Sequence, residues 1–167
     1  MLNPLDLWPL VAIRRNHALE HATIHVLADR PTCRGVAGRS DWAGFTLYGQ
    51  VSTADVVSAV GQALDRLRAG EEQLAVHPRC GTNLATGAVL IGLTSYASLR
   101  GRKRSRAERA LQWMVGIAAA LFLARPLGVR VQESITTSPA VGSLRVVTVR
   151  RVERGSMIAH RIHTAQA

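Results

Sequence analysis

Apolar positions from Leu10 onward recur at helical spacing, with Ile13, Ile24 and Leu27 on the same stripe as His17 and Glu20. The pattern predicts a helix that takes Pro9 in its first turn, runs to about Ala28 and turns Arg14 and Arg15 to its polar side. It also sets an imidazole and a carboxylate where apolar groups are expected. Such groups must be paired, hydrogen-bonded or metal-bound once buried. Upstream, Leu5, Leu7, Trp8 and Val11 fit a segment at a membrane interface and fit equally a core-packed helix start. Asp6, Pro4 and Pro9, with no basic leading residues, are not expected of a secretory leader.

Pro31, Gly35, Gly38 and Gly44 predict a long loop holding Cys33, Arg39 and Asp41. Residues 45–51 then alternate as a strand, with Phe45, Leu47 and Val51 on one face. Ser52 to Asp55 reads as a helix start. Val57, Val60, Leu64 and Leu67 supply that helix with its apolar stripe, and Gly70 stops it. Further on, the β-branched run 144–152, a turn at Arg154-Gly155-Ser156 and a return over 157–164 predict a terminal β-hairpin. Strand parity sends His160 and His163 to opposite faces, and both are expected at the surface.

Between these parts lie two uncharged stretches, 81–99 and 110–124. A spanning helix needs about 20 residues. The pair, with glycines at 87 and 92 for close packing, therefore reads as a two-helix transmembrane hairpin. Arg100, Arg102, Lys103, Arg104, Arg106 and Arg109 crowd its loop, which places the basic loop 100–109 on the cytoplasmic side of a cell membrane crossed twice. The expected fold is α+β: this hairpin over 81–131, plus a small α/β extramembrane domain made from residues 1–80 and 132–167. Because a hairpin returns the chain to the side it left, the first helix, the turn at 77–80 and the polar turn at 136–139 are expected on one side.

The chain has 167 residues and a formal charge of +10, but the basic loop supplies much of that surplus. Aromatic residues are few, so no stacking platform for single strands is present, and nucleic acid is not an expected partner. A lipid bilayer is, together with a second copy of the chain or another membrane protein. Cys33 and Cys80 make no disulfide framework. Neither a G-x-S-x-G element nor a phosphate-binding glycine loop occurs.

The densest chemistry is His17-Ala18-Leu19-Glu20-His21, an H-x-x-E-H sequence. On a helix its two histidines are i, i+4 neighbours that can reach one metal, and the carboxylate beside them can act as general base. His25 continues the same face. A second donor pair, His77 and Cys80, brackets a tight turn around Pro78 and Gly81. The expected metal ligands are His17, His21, His77 and Cys80, the metal zinc and the catalytic base Glu20. His25, Asp41 and Asn83 are expected to orient the ligands. A zinc-dependent hydrolase, as a peptidase or an esterase, follows. The alternatives are a non-catalytic membrane protein whose His/Cys cluster is structural or regulatory, and a redox or haem role for the His17/His21/His25 face.

The runs Asn16–Thr23, Gly38-Arg39-Ser40-Asp41, Gly44–Gly49, His77–Asn83 and Thr136–Pro139 resemble an uncharacterised family of small bacterial membrane proteins, catalogued as a domain of unknown function. The likeness covers about residues 10–152 and implies a membrane protein carrying these blocks, without an established activity. The H-x-x-E-H motif is separately similar to inverted-motif zinc proteases. Those enzymes usually take a third ligand from a downstream glutamate, for which Glu71 or Glu72 would have to serve here.

Overall fold

The computed structural model describes residues 3–31, 33, 35–100, 105–154 and 157–166. Two compact units emerge: Met1–His77 with Glu133–Ala167, and Pro78–Gln132.

In the first unit, helix α1 (Leu10–Ala28) begins directly after Pro9. Strands β1 (Ala37–Asp41) and β2 (Gly44–Tyr48) form a tight antiparallel pair. Helix α2 (Thr53–Arg68) follows, capped by Ser52, whose Oγ accepts the Asp55 amide, and the chain turns after it at Gly70, with φ of 92°. A 3-10 turn, Glu72–Ala75, leads to the end of this segment. Strands β3 (Arg145–Arg154) and β4 (Met157–Ala165) return from the far end of the chain. The sheet order is β1-β2-β4-β3, antiparallel throughout, so the two ends of the sequence share one sheet.

Helix α1 packs against α2, β1, β2 and the Glu72–Ala75 turn. It is consequently buried nearly all round from Asn16 to Leu27, rather than along one stripe. Leu19 and Leu27 of α1, Phe45 and Leu47 of β2, Val56 and Val60 of α2 and Ile162 of β4 form the core. Hydrophobic burial of such side chains contributes on the order of 2 kcal/mol each.

The second unit is helix α3 (Gly81–Leu99) packed on helix α4 (Arg106–Val131). Contacts of Gly87 with Ala124, Thr94 with Gly116 and Asn83 with Gly128 run in opposite sequence directions, so the helices are antiparallel. Trp113 also donates to Ser95 Oγ at 2.9 Å.

Several expectations are corrected. The fold is α+β, with four α-helices and a four-stranded sheet among the described residues, but the two-helix transmembrane hairpin does not hold. Only one described helical stretch, Arg106–Thr136, with mean hydropathy 1.6, is long and apolar enough to cross a membrane. In α3, Thr82, Asn83, Thr86, Thr94, Ser95 and Ser98 dilute the apolar content of a helix of only 19 residues. A cell-membrane protein crossing the bilayer twice falls with it. Residues 101–104 of the basic loop lie outside the described residues, while Arg106 and Arg109 belong to α4 itself. That helix starts four residues before its expected limit because Ser105 and Glu108 form a reciprocal capping box. The loop drawn over 31–44 contains β1, since β2 offers it a pairing edge. Val57 is 51% exposed, and Val56 takes its place on the buried face of α2. His160 is buried at 1% exposure, facing Thr53 of α2, whereas His163 is exposed.

Candidate metal centre

Successive turns of α1 stack His17 on His21, their ring centroids 4.3 Å apart at 62°. His17 Nδ1 lies 3.0 Å from the Thr136 carbonyl oxygen, and His21 Nδ1 lies 2.7 Å from that of Ala75. A carbonyl can only accept, so each Nδ1 carries the proton and donates. Whenever either ring is neutral, Nε2 is then the nitrogen that keeps its lone pair. Backbone carbonyls fix tautomer and ring orientation in the way outer-shell partners do for metal-binding histidines.

Burial explains why these carbonyls are available. The Glu72–Ala75 turn and the residues after it lie along α1, so one side chain per turn meets one carbonyl. His25 Nε2 donates to the Val76 oxygen at 2.9 Å, the opposite tautomer from its two predecessors. The His77 ring stands 5.0 Å from that of His25 and 5.7 Å from that of His21, centroid to centroid.

Glu20 faces the sheet. It is 4% exposed, and Ser40 Oγ of β1 donates to its Oε2. A Cβ on Gly38 would overlap the carboxylate, so β1 must carry glycine there for Glu20 to lie where it does. Burial pushes the Glu20 carboxyl above its ordinary value, while the Ser40 hydrogen bond and the nearby His17 pull it partway back.

Cys80 is the N-cap of α3, and its Sγ accepts the Thr82 amide at 3.4 Å. Chain continuity keeps it within three residues of His77. Within the first unit His17 and His21 offer two imidazole nitrogens from successive turns of α1, donors that zinc accepts. Cys80 belongs to the second unit. Both cysteines are buried.

The remaining residues named from sequence serve elsewhere. Asp41 pairs with Arg161 of β4 through two bonds of 2.7 and 2.8 Å, which holds its carboxyl below the usual range. Its backbone oxygen accepts from Asn16 Nδ2 at 2.9 Å, anchoring α1 just before His17. Asn83 donates to the Pro78 oxygen and accepts from Gln132 within the helical pair. Glu71 is ion-paired with Arg66 at the exposed end of α2. Ser40, Gly38 and the Thr136 and Ala75 carbonyls escaped sequence reasoning, although Gly38, Ser40 and Thr136 lie in runs that carry the family resemblance.

The comparisons place the chain without assigning it an activity. Residues 12–149, a span holding His17, Glu20, His21, Ser40, Cys80 and Thr136, match a family model described as "Domain of unknown function (DUF6391)". An uncharacterized protein of Picosynechococcus sp. is 37% identical over 138 residues, covering 77% of this chain and 67% of that protein. No solved structure matches. The family match extends over most of the sequence and includes the H-x-x-E-H run, and the chain belongs to the DUF6391 family.

Proposed function

We propose that the chain is a metal-dependent hydrolase with zinc as its metal, held by His17 and His21 with a third ligand, His77 or Cys80, from the turn at 77–80. The observation that carries this reading is the shared tautomer of the two α1 histidines, whose Nδ1 atoms both donate to backbone carbonyls and so leave Nε2 as the nitrogen able to ligate. Three protein ligands would leave a zinc ion a position for water, as catalytic sites require. A zinc ion bound there would supply Lewis acidity toward water and toward a substrate carbonyl. Glu20, buried and next to His21 in the chain, would accept the proton of the attacking water and return it to the leaving group of an amide or ester. Ser40 and Gly38 position that carboxylate.

A closed structural site of His17, His21, His77 and Cys80 is the second reading, favoured by the nearness of the His77 ring to His21. Elemental analysis of detergent-purified protein, prepared without chelators, tests both. About one zinc per chain is expected, with none in His17→Ala. Metal-free wild type would overturn the two readings together. Cobalt substitution then separates them: acetohydroxamate changes the visible spectrum of an open site and leaves a closed four-ligand site unaltered. In the open case, Glu20→Gln keeps the metal and loses turnover.

A further inference from the structure

We infer that a cavity between α3 and α4 binds an anionic phospholipid, with Arg109 holding the phosphate. This does not rest on the metal reading. The cavity lies within the second unit, at the end where α3 closes and α4 opens, and has a volume of about 460 Å³. Ligand sites commonly run from about 300 to 1,000 Å³. Its walls follow from helical spacing: Ser95, Ser98 and Leu99 share one face of α3, and Arg109, Ala110 and Trp113 share one face of α4. Trp113 donates its indole N–H to Ser95 Oγ at 2.9 Å, which ties the two walls together. Ser98 is buried, and its Oγ donates to the Thr94 oxygen at 2.8 Å.

The lining selects the occupant. Leu99, Ala110 and the Trp113 ring make most of it apolar, which suits an acyl chain, and Arg109 is its one charged residue. Among the described residues, no hydrogen bond or ion pair engages the Arg109 side chain, so the guanidinium keeps its donors for a ligand. Guanidinium and phosphate meet through two parallel hydrogen bonds, stronger than neutral ones. A free phosphate would use Arg109 and leave the apolar walls in water. A neutral lipid without phosphate would cover the walls and leave the guanidinium unpaired. Arg100 closes α3 and Arg106 opens α4, so a headgroup carrying its own cation, such as choline, would be repelled. Glu108 is the one acidic residue of the unit, and its carboxylate accepts the Ser105 amide in the capping box. The same α4 residues open Arg106–Thr136, the one described helical stretch apolar enough to cross a membrane, and basic and aromatic residues at such an end suit an anionic headgroup layer.

The test uses the full chain with Trp8→Phe and Trp42→Phe, so that Trp113 is the only indole, in phosphatidylcholine vesicles holding a rising fraction of phosphatidylglycerol brominated on its upper acyl chain. Quenching of Trp113 should show a preference of roughly fivefold or more over equally brominated phosphatidylcholine, and Arg109→Gln should abolish it. Arg106→Gln, which leaves the lining intact, should keep most of it. Ala110→Leu fills the cavity from its exposed wall with the charge left in place, and should abolish the preference by that separate route. Equal quenching by the two lipids would overturn the inference, as would an unchanged preference in Ala110→Leu. Equal losses in the Arg106 and Arg109 variants would also overturn it, since diffuse surface charge would then be the cause. Displacement of the brominated lipid by glycerol phosphate would do the same, with a water-soluble phosphate as the occupant.

Discussion

His160 condenses the residue-scale logic of this molecule. It lies on β4, buried, with Thr53 Oγ1 3.1 Å from its Nε2 and Arg151 opposite it on β3. Burial first, and the Arg151 charge second, hold its imidazole below the ordinary value of 6.5. The folded chain therefore refuses a proton that the unfolded chain accepts. Stability is unaffected by this group above its ordinary value, declines as pH falls through that value, and levels off below the depressed folded one. His160→Gln should remove this slope, so its melting temperature should fall less than that of wild type between about pH 7.5 and about pH 5. Parallel losses in the two proteins would contradict the assignment. Strand parity correctly separated His160 from His163, but parity does not say which face is covered. Helix α2 covers one of them, and only the folded chain reveals that.

At the scale of elements, local signals were legible wherever they were complete within a few residues. Ser52 with Asp55 marked the start of α2, and the first helix was placed to within about a residue. Ser105-Arg106-Ala107-Glu108 is also a complete capping box, but its arginines drew it into the basic loop. Strand β1 had no such signal: Ala37-Gly38-Arg39-Ser40-Asp41 is a poor strand by composition and exists because β2 pairs with it. The helical pair depends on close approach at Gly128, where a Cβ would stand 2.9 Å from the backbone Cα of Asn83. Backbone cannot step aside as a side chain can. Gly128→Val should cost about 1–3 kcal/mol by overpacking and lower amide-exchange protection in both α3 and α4. Gly92→Ala, with open space at that position, should instead preserve or slightly raise protection. Equal behaviour of the two variants would remove Gly128 from this role.

For the molecule as a whole, the proposed ion ties the second turn of α1 to the turn at 77–80, far along the chain. Binding to the folded state alone stabilises it by mass action, by about 2.7 kcal/mol at a hundredfold excess over the dissociation constant. For a chain of this size, each kcal/mol shifts the melting temperature by about 2–4 °C. Zinc should therefore raise the melting temperature by several degrees and a chelator should reverse the gain, while His17→Ala should respond to neither. A zinc-independent melt of the wild type would oppose the metal reading at this scale.

By itself the sequence determined the periodic elements, the H-x-x-E-H face and the concentration of positive charge, because each is written in neighbours a few residues apart. It did not determine which apolar stretch could cross a bilayer, because uncharged length is not the same as apolarity and the hydroxyls and Asn83 of α3 count against it. Tertiary structure alone decided the tautomers of His17 and His21, the burial of Glu20 against Gly38 and Ser40, and the meeting of Trp8 with Trp42. Those depend on carbonyls and side chains far along the chain, and no local pattern encodes which of them folding will bring near.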